Sequence, residues 1–327
     1  MTAAPLLSIS DLRIGLRRRG ETQTIVRGVN LDVVPGEKLA VVGESGSGKT
    51  LTMLSLLRLL PKPLEVLGGS VRYAGEDLLK ARPARLREVR GGEIGMVYQD
   101  PMTSLNPLLR IGTQIVEALR AHGAGPEQAR ARTREVLEHV GMRDPARVEA
   151  SFPHELSGGM LQRVMIAMTL STSPQVLVAD EPTTALDVTI QQQILELVDR
   201  LQAETGMAIV WVTHDLGVVA RLVDRVAVMY AGRIVEVGPT RDVFAAPQHP
   251  YTAALLSSLP SPATEHRGKL RQIGGTPPDP ARLEGGCPFR YRCPYAGEMC
   301  AADEPSLLAR RPDHLAACWK EPSSWQA

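Results

Sequence analysis

Cysteine, aromatic side chains and long apolar runs are all scarce in most of this chain. Only 4% of its 327 residues are aromatic, so aliphatic side chains and methionine must build the core. None of the four cysteines lies in the first 286 residues, and their confinement to the end of the chain indicates a separate module. No apolar run approaches the roughly 18 residues that a membrane-spanning helix needs, so we expect the chain not to cross a bilayer by itself.

An excess of charge of one sign is also lacking. The chain has 37 Lys+Arg and 36 Asp+Glu, a formal net charge of +1, which argues against a nucleic-acid or polyanion binder. The short apolar run at residues 1–7 has no basic residue before it, and Arg17, Arg18 and Arg19 come too late for a signal peptide. We therefore expect a cytoplasmic protein.

Alternating strand and helix patterns predict an α/β fold. Short apolar runs predict buried strands at residues 38–42, 176–179 and 208–213. A helix is expected from about Lys49, and apolar residues at helical spacing between Ile190 and Leu201 predict another that ends at Gly206. A strand, a helix and a second strand in this order form a parallel crossover unit.

Two stretches differ from this alternation. Residues from about 100 to 170 carry helical patterns with few strand-like runs, which predicts a helical insertion. From about residue 240 onward prolines become frequent, which predicts a loop-rich extension at the end of the chain.

A phosphate-binding pattern lies between a predicted strand and a predicted helix, in the run Gly43-Glu44-Ser45-Gly46-Ser47-Gly48-Lys49-Thr50. Glycines let backbone amides curl around phosphates, and the positive end of the helix adds to their field. Lys49 is placed to reach the β- and γ-phosphates, and the Thr50 hydroxyl to bind Mg²⁺. The alternative, a glycine-rich turn with a surface lysine, is disfavoured by the flanking strand and helix.

Two adjacent carboxylates follow a predicted strand further along the chain. Asp180 is placed as the second anchor of Mg²⁺, and Glu181 is placed to polarise an attacking water, which indicates hydrolysis rather than binding alone. Taken alone, such a pair is as often a helix cap or a salt-bridge partner. Its combination with the phosphate-binding run favours the catalytic interpretation.

A second predicted helix begins with Ser157, Gly158 and Gly159, within residues 156–163, and its N-terminus is suited to bind an anion. Because one chain then holds two phosphate-facing surfaces, it resembles the nucleotide-binding subunit of an ATP-binding cassette (ABC) transporter. In that family the Ser-Gly-Gly signature of one subunit closes on ATP held by the phosphate loop of the other. The resemblance implies that the chain is an ATPase and that ATP and Mg²⁺ are its cofactors.

Further residues match this family in order, over about residues 5 to 240. Gln99 matches the glutamine that meets Mg²⁺ and the membrane subunits. Ala185-Leu186-Asp187 matches the loop that crosses the dimer interface, and His214 matches the switch histidine that contacts the γ-phosphate.

The resemblance also implies a domain organisation. A P-loop NTPase core, the ABC nucleotide-binding domain, is expected over residues 1–240, with an antiparallel β subdomain and a helical subdomain at about 100–170. A loop-rich extension that contains the four cysteines is expected over residues 241–327.

A finer resemblance is to the ATP-binding subunits of oligopeptide and dipeptide importers. It rests on three segments, at residues 99–107, 249–252 and 286–294. It implies a motor that couples ATP hydrolysis to peptide uptake at the cytoplasmic face of the inner membrane. The implied partners are a second ATP-binding subunit, usually a different chain, two permease subunits and an extracytoplasmic substrate-binding protein.

Two alternatives stay open at this point. Related subunits serve opines, glutathione or nickel, so the resemblance gives the class of transporter and leaves the transported substrate open. A soluble ABC ATPase of DNA repair or chromosome organisation would resemble this cassette but carries long coiled-coil insertions. Lys49 and Asp180 are only 131 residues apart here, without extended heptads.

The four cysteines, Cys287, Cys293, Cys300 and Cys318, are separated by five, six and 17 residues. Disulfides are disfavoured in a reducing compartment, and zinc sites usually contain close pairs with about two to four intervening residues, which are absent here. Wider loops suit an iron–sulfur cluster, whose iron atoms lie further apart than the ligands of a single ion. The importer resemblance points the same way, so we expect a [4Fe–4S] cluster, with Zn²⁺ as the alternative.

Overall fold

The computed structural model describes residues 4–18, 21–184, 186–259, 273–280, 283 and 285–324. In these residues the helices are α1 (Lys49–Leu56), α2 (Pro83–Gly92), α3 (Pro101–Ser104), α4 (Ile111–Ala121), α5 (Pro126–His139), α6 (Pro145–Ala150), α7 (Gly158–Leu170), α8 (Val188–Thr205), α9 (Leu216–Leu222), α10 (Thr240–Ala245), α11 (Pro250–Ser257) and α12 (Glu298–Ala302). None of them is both long enough and apolar enough to span a membrane.

The strands of the same residues are β1 (Leu7–Arg18), β2 (Glu21–Val33), β3 (Lys38–Val42), β4 (Glu65–Tyr73), β5 (Glu76–Asp77), β6 (Ile94–Val97), β7 (Val176–Asp180), β8 (Ala208–Thr213), β9 (Arg225–Tyr230), β10 (Arg233–Pro239), β11 (Leu308–Arg311) and β12 (His314–Ala316). The chain divides into two compact units. The helical unit comprises residues 34–37 and 80–211, and the phosphate-loop unit comprises the rest of the described chain.

The helical unit contains a buried parallel strand pair. β6 and β7 pair in register from Ile94 with Val176 to Val97 with Ala179, and every residue of both strands is buried. The described residues from 101 to 170 form helices α3 to α7 and no strand. The helix predicted from apolar spacing is α8, and Gly206 ends it in the left-handed conformation, at φ 68°.

The phosphate-loop unit contains two groups of strands. β2, β1, β4 and β5 form an antiparallel sheet in that order. In the second group β3 pairs in parallel with β9, and β9, β10, β12 and β11 follow one another in antiparallel pairs. The strand predicted at residues 38–42 is β3, which pairs with β9 in this second group. The domain boundary expected near residue 240 stays a prediction.

A buried carboxylate ties the C-terminal extension to the second strand group. Glu236 on β10 accepts the backbone N–H groups of Gln248 and His249, at 2.7 and 2.9 Å. Its Oε1 also lies 2.7 Å from Nε2 of His314 on β12, and both side chains are 0% exposed. A buried carboxylate needs such partners, because burying it without them costs several kcal/mol.

We expect Glu236→Ala to lower the free energy of unfolding of this unit by about 3–5 kcal/mol, because it leaves His314 and two buried N–H groups without their acceptor. The control is Glu204→Ala, which removes an exposed pair with Arg200 and should cost less than about 1 kcal/mol. Thermal and urea unfolding measure both. Equal, small losses would contradict the role assigned to Glu236.

Candidate functional site

The phosphate loop runs from the end of β3 to the start of α1 and depends on glycine. A Cβ at Gly43 would lie 2.1 Å from the backbone oxygen of Met229 on β9, so no larger residue fits there. Gly46 and Gly48 have φ values of 78° and 102°, which other residues rarely adopt. Gly48 is the N-cap of α1. The loop thus brings its backbone amides to a helix N-terminus, as anion binding requires.

The side chains of the loop suit a phosphate ligand. Lys49 is buried, and its Nζ donates to the backbone oxygens of Gly43 and Glu44, at 2.8 and 3.1 Å. Ser47 is buried too, and its Oγ has no hydrogen-bond partner among the residues that the structure describes. A buried hydroxyl without a partner is costly, so a phosphate oxygen there would satisfy it. Ser45 and Thr50 are exposed at the rim of the loop.

In the helical unit, the structure brings Gln99 and Glu181 together. Asp180 is the last residue of β7 and is 4% exposed. Glu181 follows it with φ 48°, a left-handed conformation that costs a non-glycine residue about 1–2 kcal/mol. Gln99 Nε2 and Thr184 Oγ1 both donate to Oε2 of Glu181, at 3.3 and 3.0 Å. Sequence reasoning missed Thr184, because its hydroxyl has no motif of its own.

The Ser-Gly-Gly segment stands at the start of α7. Ser157 is the N-cap residue, but its side chain makes no capping hydrogen bond, and Ser157 and Gly158 are exposed. A Cβ at Gly159 would lie 2.8 Å from Cγ2 of Ile190 on α8, so this glycine allows the two helices to pack closely. Asp187 is exposed and caps α8 by accepting the N–H of Ile190 at 2.9 Å. Ala185, predicted in the same loop as Asp187, lies outside the described residues.

His214 follows β8 directly and is exposed in the phosphate-loop unit. The next residue, Asp215, is the N-cap of α9 and accepts the N–H groups of Gly217 and Val218. The N–H of Asp215 in turn donates to Oγ1 of Thr213 at 3.0 Å. This tight turn fixes the backbone on both sides of His214.

The structure brings all four predicted cysteines together around one cavity, which His249, Phe289 and Trp319 also line. All four cysteines are free thiols in this structure. Across the described residues, no group of three or more His, Cys, Asp or Glu side chains is arranged to hold a metal ion. The four cysteines therefore line one cavity but do not form a group of that kind.

The sulfur atoms of this cavity have backbone donors. The N–H groups of Phe289, Tyr295 and Lys320 donate to the sulfurs of the cysteines two residues before them, Cys287, Cys293 and Cys318. Burial raises the pKa of the Cys287 thiol to about 12, and it also raises the pKa values of Cys293 and Cys318. Without a positively charged ligand these thiols stay protonated near neutral pH.

Comparison with known proteins identifies the family. Residues 26–184 match the family described as ABC transporter, and residues 235–300 match the oligopeptide/dipeptide transporter, C-terminal region. A probable peptide ABC transporter ATP-binding protein of Sinorhizobium fredii is 47% identical over 317 residues, 96% of this chain and 95% of that protein. A putative peptide import ATP-binding protein of Brucella ovis is 48% identical over 335 residues, 98% of this chain and 99% of that protein. The chain belongs to the ABC transporter family.

Solved structures agree with this assignment. The cbiO1 protein of Clostridium perfringens, part of the ABC transporter complex cbiONQ, has a TM-score of 0.64 at 26% identity, over 74% of this chain and 91% of its own. A dimeric ATP-binding cassette in a post-hydrolysis state with ADP and Pi also has a TM-score of 0.64, at 27% identity, over 72% and 99%. The P-loop α/β fold expected from the sequence is confirmed. The ABC subunit described here is an ATPase that works with membrane permease subunits.

Gly43→Ala is expected to disrupt the phosphate loop, because the added methyl group meets the Met229 carbonyl and the backbone must move. Gly46→Ala is the matched control. A Cβ there meets no described atom within 4 Å beyond its chain neighbours, so only its positive φ costs energy, about 1–2 kcal/mol. Denaturant unfolding should show a clearly larger loss for Gly43→Ala, and an equal loss would contradict the packing argument.

Proposed function

We propose that this chain is the ATP-hydrolysing motor of an importer for di- and oligopeptides. The observation that carries the proposal is the pairing of a complete phosphate loop with the oligopeptide/dipeptide transporter C-terminal region in one chain. Relatives named for peptide transport align over 95% and 99% of their own lengths, so they share the extension as well as the cassette. Opines, glutathione and nickel are the substrates to test against peptides.

In this proposal the phosphate loop holds the nucleotide. The backbone amides of residues 43–50 and the Nζ of Lys49 bind the phosphates, and Ser47 Oγ gains the partner that it lacks. Thr50, Asp180 and Gln99 supply oxygen ligands to Mg²⁺, which prefers hydroxyl, carboxylate and amide oxygens. These assignments follow the family pattern and the oxygen chemistry of the residues.

The hydrolytic step uses Glu181 as the base for the attacking water. Its left-handed backbone and the hydrogen bonds that it accepts from Gln99 and Thr184 support this role, because strain and fixed geometry are features of functional sites. His214 contacts the γ-phosphate as the switch residue. Hydrolysis converts ATP and water to ADP and phosphate.

A composite ATP site requires a second subunit, since this chain has one phosphate loop and one Ser-Gly-Gly segment. Ser157, Gly158, Gly159 and Asp187 act on the nucleotide of that partner, which we infer to be a different but homologous chain. The exposed positions of Ser157, Gly158 and Asp187 support this. Two permease subunits and an extracytoplasmic substrate-binding protein complete the importer, with this chain at the cytoplasmic face of the membrane.

The segment after Gln99 suits contact with the permease. Met102 is 50% exposed and Leu108 is 82% exposed, so both apolar side chains are accessible to a partner. Leu105 lies between them in the chain but is 3% exposed and belongs to the core. Met102 and Leu108 are therefore the positions for crosslinking to the permease.

We expect Glu181→Gln to keep Mg-ATP binding and to abolish both ATP hydrolysis and peptide uptake in the assembled complex, because it removes the base and leaves the phosphate loop intact. Glu196→Gln, on the exposed part of α8, is the control and should retain activity. Phosphate release and uptake of a labelled dipeptide, opine, glutathione or nickel are measured in parallel. Hydrolysis at the parental rate would refute the role of Glu181, and uptake of a non-peptide alone would refute the substrate class.

We also propose that the cysteine cavity binds a [4Fe–4S] cluster that shapes the extension and carries no electrons in transport. Four thiols around one cavity supply the full ligand set of such a cluster. Backbone N–H groups directed at three of the sulfurs would stabilise them as thiolates. Burial raises the pKa values of Cys293 and Cys318, and the positive charges of Lys320 and Arg310 offset part of that rise. The same two charges would offset the negative charge of a cluster.

The full chain purified without oxygen should contain about four iron and four labile sulfide per molecule and show iron–sulfur absorption. Cys300→Ser should lose both iron and absorption while the phosphate-loop control Lys49→Ala keeps them, because Lys49 is not a ligand. Metal analysis that found stoichiometric zinc, with neither iron nor sulfide, would refute the cluster in favour of zinc.

A further inference from the structure

An ion pair joins the phosphate loop to the four-cysteine segment of the extension. Arg292, the residue before Cys293, donates from Nη1 and Nη2 to the two carboxylate oxygens of Glu44, at 2.6 and 2.9 Å. The Arg292 side chain is 3% exposed and that of Glu44 is 26% exposed. Two parallel charge-assisted bonds of this kind hold both partners in one geometry, unlike a single ion pair at the surface.

Arg292 has partners other than Glu44, one in the extension and one on β9. Its Nε donates to the backbone oxygen of Gly274 at 2.9 Å, and its Nη1 also donates to the Tyr230 hydroxyl at 3.4 Å. The guanidinium group is therefore held by groups outside the phosphate loop. Arg292 thus has anchoring contacts of its own besides the carboxylate of Glu44.

A second contact reaches the backbone of the same loop residue. The N–H of Glu44 donates to the hydroxyl of Tyr251, at 2.9 Å, and Tyr251 is 0% exposed. The rings of Tyr230, Tyr251 and Phe289 pack with centroids 4.5 to 5.4 Å apart. Phe289 lies between two of the cysteines in the chain, so the packing that positions Tyr251 includes the cysteine segment itself.

The negative charge of Glu44 affects phosphate binding. Glu44 places a carboxylate within a loop that must bind a polyanion, and an uncompensated negative charge there would repel phosphates. Arg292 neutralises this carboxylate and holds it in a two-bond pair. Lys49 cannot take over this task, because it is needed at the phosphates.

We propose that Arg292 is a positioning residue for the phosphate loop, through which the four-cysteine segment sets the nucleotide affinity of the ATPase. The inference rests on the proposed nucleotide site. It involves protein atoms only, so it holds whatever the cysteine cavity binds.

The test is a double-mutant cycle on the full chain, with Mg-ADP as the probe in equilibrium titrations. Arg292→Ala should raise the Kd by about tenfold, the effect expected when a charged group loses its bidentate partner. Arg292→Lys keeps the positive charge but loses the two parallel N–H donors of the guanidinium group, so its Kd should lie between those of the wild type and Arg292→Ala. On a Glu44→Gln background, Arg292→Ala should change the Kd by less than about twofold, because the carboxylate is gone.

The matched control is Glu304→Gln, which breaks a different attachment of the extension, to Arg27 and Arg233 at 2.7 and 2.8 Å, and leaves Glu44 paired. Its Kd should equal that of the wild type. Equal increases in Kd for Glu304→Gln and Arg292→Ala would overturn the proposal, as would independent effects of Arg292 and Glu44. A wild-type chain that failed to bind Mg-ADP would instead contradict the nucleotide site itself.

Discussion

The phosphate loop keeps its shape because glycine stands where the backbone passes closest to β9. A Cβ at position 43 would clash with the carbonyl of Met229, so the turn that follows β3 requires glycine there. The N–H of Gly232, just beyond β9, then donates to the backbone oxygen of Ser47 at 2.9 Å and holds the far side of the loop. The anion-binding amides of the loop thus depend on the parallel pairing of β3 with β9.

Features with a local signal could be predicted from the sequence. The strands β3, β7 and β8 follow from short apolar runs, and α8 follows from helical spacing that stops at a left-handed glycine. The antiparallel sheet of β1, β2 and β4 has no such signal, because its pairing is long-range and its register is interrupted by bulges. It was expected only from the family resemblance.

The candidate site residues divide in the same way. The phosphate loop, Asp180, Glu181 and the four cysteines could be named because each residue type carries its own chemistry at a characteristic spacing. Thr184 and Arg292 could not, since a threonine and an arginine acquire a role only from the carboxylate that they reach. For Arg292 that carboxylate is 248 residues away in the chain, and no local pattern encodes such a contact.

The extension looks like an appended module in the sequence, but it is part of the packing of the phosphate-loop unit. Glu236 and His314 form a fully buried pair between β10 and β12. In a chain with only 4% aromatic residues, Tyr230, Tyr251 and Phe289 gather at one point between the loop and the cysteine cavity. Aromatic rings contribute large, stiff contact surfaces, so a displacement of the cysteine segment must be accommodated where Tyr251 meets the loop. This packing gives the extension a physical route to the nucleotide that a flexible appendage would not have.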